Sequence, residues 1–196
     1  MTLPFPYTKE EITKLGNAIV FLCEKMQPMT KTKLLKLVYL VEETSVRTYG
    51  LPFFNLPFSV WQFGPVNRDL FVELSSPIIL ADFISCDSKK DPTLIVPRVQ
   101  FSDDEFSDNE VELLAFIVEK FQDYNSQKLV ELTHRKHSLW HQTAKEAGVL
   151  EYFEDNLMST TDIEIDFSQL VENDKPKKSL YLSQKNYLEN SRLLKA

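Results

Sequence analysis

The chain has 196 residues, 43% of them hydrophobic and 26% charged, with a formal net charge of −7. That length suits one domain, or at most two small ones, with enough chain to bury a real core. Four glycines, ten prolines and 14 phenylalanines exclude a collagen-like, low-complexity or disordered chain. The charge is uneven: residues 1–98 carry a net +1 and residues 99–196 a net −8. Broad nucleic-acid binding needs a basic face that releases counterions, so an acidic chain of this kind disfavours it. Lys31, Lys33 and Lys36 are the one basic cluster of the first half outside loops.

Cys23 and Cys86 are the only cysteines, too few for a disulfide framework. The start of the sequence lacks a basic segment followed by an apolar one, and no apolar run approaches 18 residues. A cytoplasmic protein with reduced thiols and no membrane segment is expected.

In chain order, Thr8-Lys9-Glu10-Glu11 has capping-box form. Ile12, Leu15, Ile19, Leu22, Cys23 and Met26 follow at helical spacing, and Gln27-Pro28 ends that helix. Thr30 or Thr32 caps a second helix, apolar nearly all round through Leu34, Leu35, Leu37, Val38, Tyr39, Leu40 and Val41. Such a segment is expected at the centre of a domain, with Gly50 closing it. Ser59–Phe63 suits a short strand. Pro65 is expected to open a third helix, with Leu70, Phe71 and Leu74 buried and Pro77 ending it. Ala81–Cys86 and Leu94–Val99 are expected as a hairpin with a long charged loop, Pro97 marking an edge.

Ser107-Asp108-Asn109-Glu110 is a second capping box, ahead of a helix through Val111, Leu114, Val118 and Phe121. Asp103, Asp104, Glu105 and Asp108 crowd its positive end, where negative charge is favoured. Ser126 caps a fifth helix, and a sixth runs from about Leu139 to Ala147, stopped by Gly148. Residues 151–174 hold eight acidic residues and no Lys or Arg. Within them Asp162–Phe167 alternates like a strand. Lys175-Pro176-Lys177-Lys178 reads as a basic break, and Tyr187, Leu188 and Leu194 suggest a short final helix. The fold class is therefore mainly α (α+β), a compact helical bundle with a small antiparallel sheet or hairpin. Residues 1–150 form a helical domain including a hairpin near 81–99, and 151–196 an acidic extension packed on it.

Chemistry-bearing constellations are few. His134, His137 and His141 fall at i, i+3 and i+7 and would share one face of a continuous helix, the best metal-like pattern in the chain. Arg135 and Lys136 between them disfavour a cation, and no second ligand cluster accompanies them. There is no Gly-x-Ser-x-Gly elbow, Gly-rich phosphate loop or His-Glu-x-x-His run. Neither catalytic residues, a metal nor a cofactor is expected. One feature stands out: Trp61-Gln62-Phe63-Gly64-Pro65-Val66, bulky aromatics beside a Gly-Pro corner. Aromatic anchors dominate binding hot spots.

Three segments together resemble the Panacea domain family, which includes SocA-like antitoxins and phage-associated GepA-type proteins. Leu35-Lys36-Leu37-Val38-Tyr39 is similar to the Leu-Gln-Lys-Leu-Leu-Tyr core helix of that family. Trp61–Val66 looks like its Trp-x-x-Gly-Pro-Val signature, with Phe71 where an aromatic follows. Leu132-Thr133-His134, with Trp140 beyond, is similar to its Leu-Thr-His…Trp segment; Arg135, Lys136 and Leu139 depart from the acidic residue and proline usual there. Order and spacing agree over about residues 10–147. The resemblance implies a bacterial, non-enzymatic protein-binding domain that neutralises a cognate toxin, or delivers it as a proteolytic adaptor to a ClpXP-type protease. It places partner contacts on Trp61, Phe63, Gly64, Pro65, Val66, Thr133, His134 and Trp140. The alternatives are a DNA-binding regulator, with the first two helices as helix-turn-helix and Lys31, Lys33 and Lys36 facing phosphate, and a metal-dependent enzyme using the three histidines.

Overall fold

A computed structural model describes residues 7–86, 91 and 93–195. The fold is mainly α, with two small antiparallel two-stranded sheets among the described residues.

Helix α1 (Lys9–Lys25) starts at a complete capping box: the Glu11 N–H donates to Thr8 Oγ1 and the Thr8 N–H to Glu11 Oε2. It ends before Gln27-Pro28, as expected. Helix α2 (Lys31–Tyr49) is capped by Thr30, whose hydroxyl accepts the Lys33 N–H, and Thr32 lies inside the first turn. Gly50 closes α2 at φ +68, a left-handed conformation that glycine adopts without strain. Leu34, Leu37, Val38 and Val41 are fully buried, so α2 is the axis of the core. The first, third, fourth and fifth helices, the 3-10 turn and the first hairpin pack against it, and the second hairpin packs on α1.

Strands β1 (Ser59–Trp61) and β2 (Gly64–Val66) form a hairpin with Gln62 and Phe63 as its turn. Pro65 therefore does not open a helix. It lies in β2, opposite Val60. The third helix, α3 (Arg68–Glu73), starts later, where the Asn67 side chain accepts the Leu70 N–H. Gly-Pro serves a strand here because Gly64 takes φ +98 and turns the hairpin before Pro65 is reached. Helix α3 stops at Glu73, short of Pro77, and the Glu73 carboxylate accepts three successive N–H groups, Ile78 to Leu80. Leu70 and Leu74 are buried as expected, but Phe71 is exposed.

Strands β3 (Ile84–Cys86) and β4 (Ile95–Pro97) form the second hairpin, shorter than the expected runs. Most of its charged connection lies outside the described residues. Both cysteines are free thiols; Cys23 is buried and Cys86 half-buried.

Helix α4 (Asp108–Phe121) begins at Ser107, with the Glu110 carboxylate accepting both the N–H and the hydroxyl of Ser107. The cap of α5 (Ser126–His134) is Asn125, one residue before the expected Ser126, because its amide oxygen accepts the Lys128 N–H. The Ser126 hydroxyl instead meets Thr30 at the start of α2. Helix α6 (Leu139–Glu146) is capped by Ser138, and α7 (Leu150–Glu154) follows Gly148.

Beyond residue 154 the expectations fail in three places. Asp162–Phe167 is not a strand of a ladder, although it runs extended beside β1, with one isolated bridge, Ser59 to Glu164. Val60 donates to the Ile163 carbonyl and Ile165 to the Phe58 carbonyl. A 3-10 turn (Phe167–Val171) then enters the core. Lys175-Pro176-Lys177-Lys178 is no break but the first turn of α8 (Lys175–Lys195), where the Asp174 carboxylate accepts the Lys177 N–H. The final helix is long, with 21 residues, and Tyr181 is its buried anchor.

Candidate functional site

The three family-like segments meet at one corner. Side chains from two other regions reach backbone carbonyls of the β1–β2 hairpin, at the end of β1, in the turn and in β2. The Trp140 indole N–H, from α6, donates to the Trp61 carbonyl at 3.0 Å. The His134 ring, at the end of α5, places Nε2 2.8 Å from the Gln62 carbonyl oxygen. The Lys36 ammonium, from α2, donates to the Pro65 carbonyl at 3.0 Å. Gly64 is required at this point. A Cβ there would fall 2.9 Å from Thr133 Oγ1 and 3.0 Å from Lys36 Nζ, besides the strain of φ +98.

Electrostatics at the corner are those of a dry interior. Lys36 is 2% exposed and no carboxylate pairs with it among the described residues. Burial pushes its ammonium down to about 7. Burial also lowers the His134 pKa, against the Val130 and Gln62 carbonyls that favour its charged form, with Lys36 and His141 adding to the fall. His134 Nδ1 lies 2.7 Å from the Val130 carbonyl oxygen, and its ring meets Trp140 edge-on at 4.0 Å. Trp140 is buried and stacks on Phe153 of α7.

The expected partner-contact residues thus divide by position. Gly64, Pro65, Val66, Thr133 and Trp140 are buried, and His134 is half-buried with both ring nitrogens at backbone carbonyls. Phe63 is 66% exposed at the hairpin tip. Trp61 is half-buried, donates its indole N–H to the Thr161 carbonyl at 3.2 Å and packs edge-on against Phe71 at 5.1 Å. Between Phe63, Trp61 and Phe71 on one side and α2 and α5 on the other lies an open groove of about 520 Å³. Leu35, Val66 and Val130 make its apolar walls, and Lys36 is the sole charged residue among the described lining.

Two contributors escaped sequence reasoning. Phe71 was expected in the core, yet it faces out under Lys31, whose ammonium sits 3.3 Å from the ring centroid. The stretch 153–163 clamps the hairpin from outside: the Gln62 amide donates to the Phe153 carbonyl at 2.9 Å and Asn156 Oδ1 at 2.8 Å, and the Gln62 N–H to the Ser159 carbonyl. No spacing in the sequence signals a contact across that distance. Asn156, at φ +55, is the one local hint of a tight turn there.

A family model, antitoxin SocA-like, Panacea domain, matches residues 34–141, more than half of the chain. The chain belongs to the SocA-like Panacea domain family. Neither a curated protein nor a solved structure matches it. In this Panacea domain the family-like residues chiefly build and brace one hairpin, and the side chains the brace leaves open are aromatic.

Neither alternative keeps its geometry. The three histidines do not share a helical face, because α5 ends at His134 and His137 sits in the turn at φ +71. No three His, Cys, Asp or Glu side chains gather as a metal site among the described residues. The lysine edge is also absent: Lys33 and Lys36 are buried, and Lys31 lies over Phe71 and donates to Ser75. No described helix is long and apolar enough to cross a membrane.

Proposed function

We propose that this Panacea domain is a non-enzymatic antitoxin that docks a cognate toxin protein at the β1–β2 corner and so neutralises it in the cytoplasm. Family membership supports the antitoxin class, and the observation that carries the docking site is Phe63. Phe63 is two-thirds exposed at the tip of a hairpin braced by three side chains, at the edge of the groove and beside Trp61 and Phe71. Preorganised aromatic anchors beside a groove are the usual energetic centre of a protein interface. Trp61 is the second anchor. Gly64, Pro65, Val66, Thr133, His134 and Trp140 serve the contact by fixing the hairpin's shape.

The acidic second half adds long-range steering. Asp162, paired at 3.8 Å with Arg68, and Glu164 lie in the segment beside the hairpin. A partner of net positive charge would be drawn to this side with a faster on-rate. The same docked complex would serve delivery to a ClpXP-type protease.

Co-expression with the neighbouring open reading frame tests the reading. A stable complex and relief of toxicity are expected, and the absence of both overturns it. Phe63→Ala is expected to weaken the complex by about 2 kcal/mol, roughly thirtyfold, with an unchanged melting temperature. Unchanged binding moves the site elsewhere. Toxin lifetime in cells with and without the protease separates adaptor from blocker.

A further inference from the structure

The groove beside Phe63 contains a charge that the fold leaves uncompensated. Its walls are apolar, yet Lys36 reaches it from α2 with one hydrogen bond, to the Pro65 carbonyl, and three N–H donors to place. The groups that face this ammonium do not balance it. The β1–β2 hairpin offers no titratable side chain, α5 brings His134, and Lys31, on the same helix as Lys36, lies over the Phe71 ring. A buried cation is normally paired; left single it sheds its proton more readily, and an anion brought beside it restores the charged form.

We propose that the groove takes a carboxylate carried beside an apolar group, with Lys36 as its counter-ion, so that the docked partner inserts an acidic side chain or chain-terminal carboxylate flanked by an aliphatic or aromatic residue. This rests on the docking reading above and adds the chemistry of the anchor. It is compatible with a partner of net positive charge, because steering acts over the whole surface whereas the anchor is one residue. An apolar group docked against Trp61, Phe63 and Phe71 displaces water from the groove, which strengthens the pairing. Lys36 titrates near neutrality in the free protein, so uptake of a proton accompanies carboxylate binding above about pH 7.

The test needs no toxin. The full chain, labelled with nitrogen-15, is titrated with 3-phenylpropionate and with its neutral amide, 3-phenylpropionamide, and the Trp61 indole N–H is followed. The acid is expected to bind about tenfold more tightly than the amide at neutral pH, a preference set by one charge pair in a partly dry site. Lys36→Met is expected to abolish the preference. If that variant fails to fold, the wild-type pH profile decides. Affinity for the acid is expected to fall at least about tenfold between pH 7 and pH 9, while that of the amide stays level. Burial lowers the His134 pKa, which moves its titration away from that range. Equal affinity for the two probes, binding of neither, or a preference that survives Lys36→Met or stays flat with pH overturns the proposal. A toxin complex obtained alongside such a result would leave the docking reading standing and remove only the anchor chemistry.

Discussion

At the scale of single residues, the central helix is notable for what it buries. Lys36 and Glu42 both lie on α2 and are about 2% exposed; neither forms an ion pair among the described residues, and Glu42 feels the Lys14 charge only from a distance. Glu42 accepts the Phe54 N–H at 2.7 Å and the Asn55 N–H at 3.3 Å, holding a turn in which Asn55 stands at φ +53. Burial nevertheless pushes the carboxyl up to about 7, against the pull of those N–H groups. Between the ordinary carboxylate pKa and about 7 the folded chain therefore holds a proton that the unfolded chain has released. Stability contributed by Glu42 is present at low pH and is lost as pH rises through that window. A Glu42→Gln chain, neutral throughout, is expected to lack this limb. Its urea midpoint relative to wild type should climb between pH 5 and pH 7.5, by about 2–3 kcal/mol in stability at most. The lost acceptor adds a constant offset, so the slope is the readout. His134 and Lys36 are present in both chains and cancel in the difference; the Lys36 window lies above pH 7, where its lowered pKa makes stability rise with pH. Parallel profiles would show that Glu42 is ionised across the whole range.

At the scale of elements, what the sequence disclosed and what it concealed have separate physical causes. Helices α1 and α4 were legible from Thr8–Glu11 and Ser107–Glu110, because a capping box is local and its partners are three residues apart. Helix α2 was legible because burial on all sides leaves an apolar run. The Gly64-Pro65 corner was misread because proline at the start of a helix and proline in a short strand look alike until the φ of Gly64 is known. Helix α8 was hidden for a different reason. Its inward stripe is Lys177, Tyr181, Gln184, Lys185, Leu188 and Arg192, all buried or half-buried, and only two of the six are hydrophobic. Hydrophobic periodicity cannot detect a helix docked through polar groups. Arg192 is the main clasp: Nε donates to Glu11 at 2.9 Å, Nη2 to the Asn55 and Phe54 carbonyls at 2.9 and 3.3 Å, and the guanidinium lies over the Tyr7 ring at 4.7 Å. Arg192→Ala is expected to loosen the end of α8 alone. Amide exchange there should quicken about tenfold or more, the loss of charge-assisted bonds worth about 1–2 kcal/mol, while α2 exchange is unchanged. Equal acceleration in α2 would mean that α8 is part of the global folding unit and not a docked strap.

At the scale of the whole molecule, the question is whether the family-matching stretch is the unit that folds. It ends at residue 141, and the corner it contains was legible as three motifs. The clamp on that corner lies beyond it. Phe153, Ile165, Phe167, Val171 and Tyr181 are all buried, and the Phe167 ring lies 5.7 Å from Tyr39 and 5.8 Å from Phe58, two aromatics of the central core. Burying each such side chain is worth about 1.5–3 kcal/mol, so together they rival the about 5–15 kcal/mol that separates a folded domain from its unfolded chain. The acidic stretch, which composition marks only as charge, thus carries core residues between its carboxylates: Ile165 and Phe167 flank Asp166, whose side chain accepts the Ser168 N–H and turns the chain inward. A chain cut after Leu150 would expose Tyr39, Phe58 and Trp140 and leave Gln62 without its three acceptors. It is expected to lose the cooperative urea transition and the near-ultraviolet aromatic signal of the full chain, while retaining part of its helical circular dichroism. A cut chain that melts cooperatively, with the indole resonances of Trp61 and Trp140 in place, would show that the corner is self-supporting and that residues 151–196 are an addition to a finished domain.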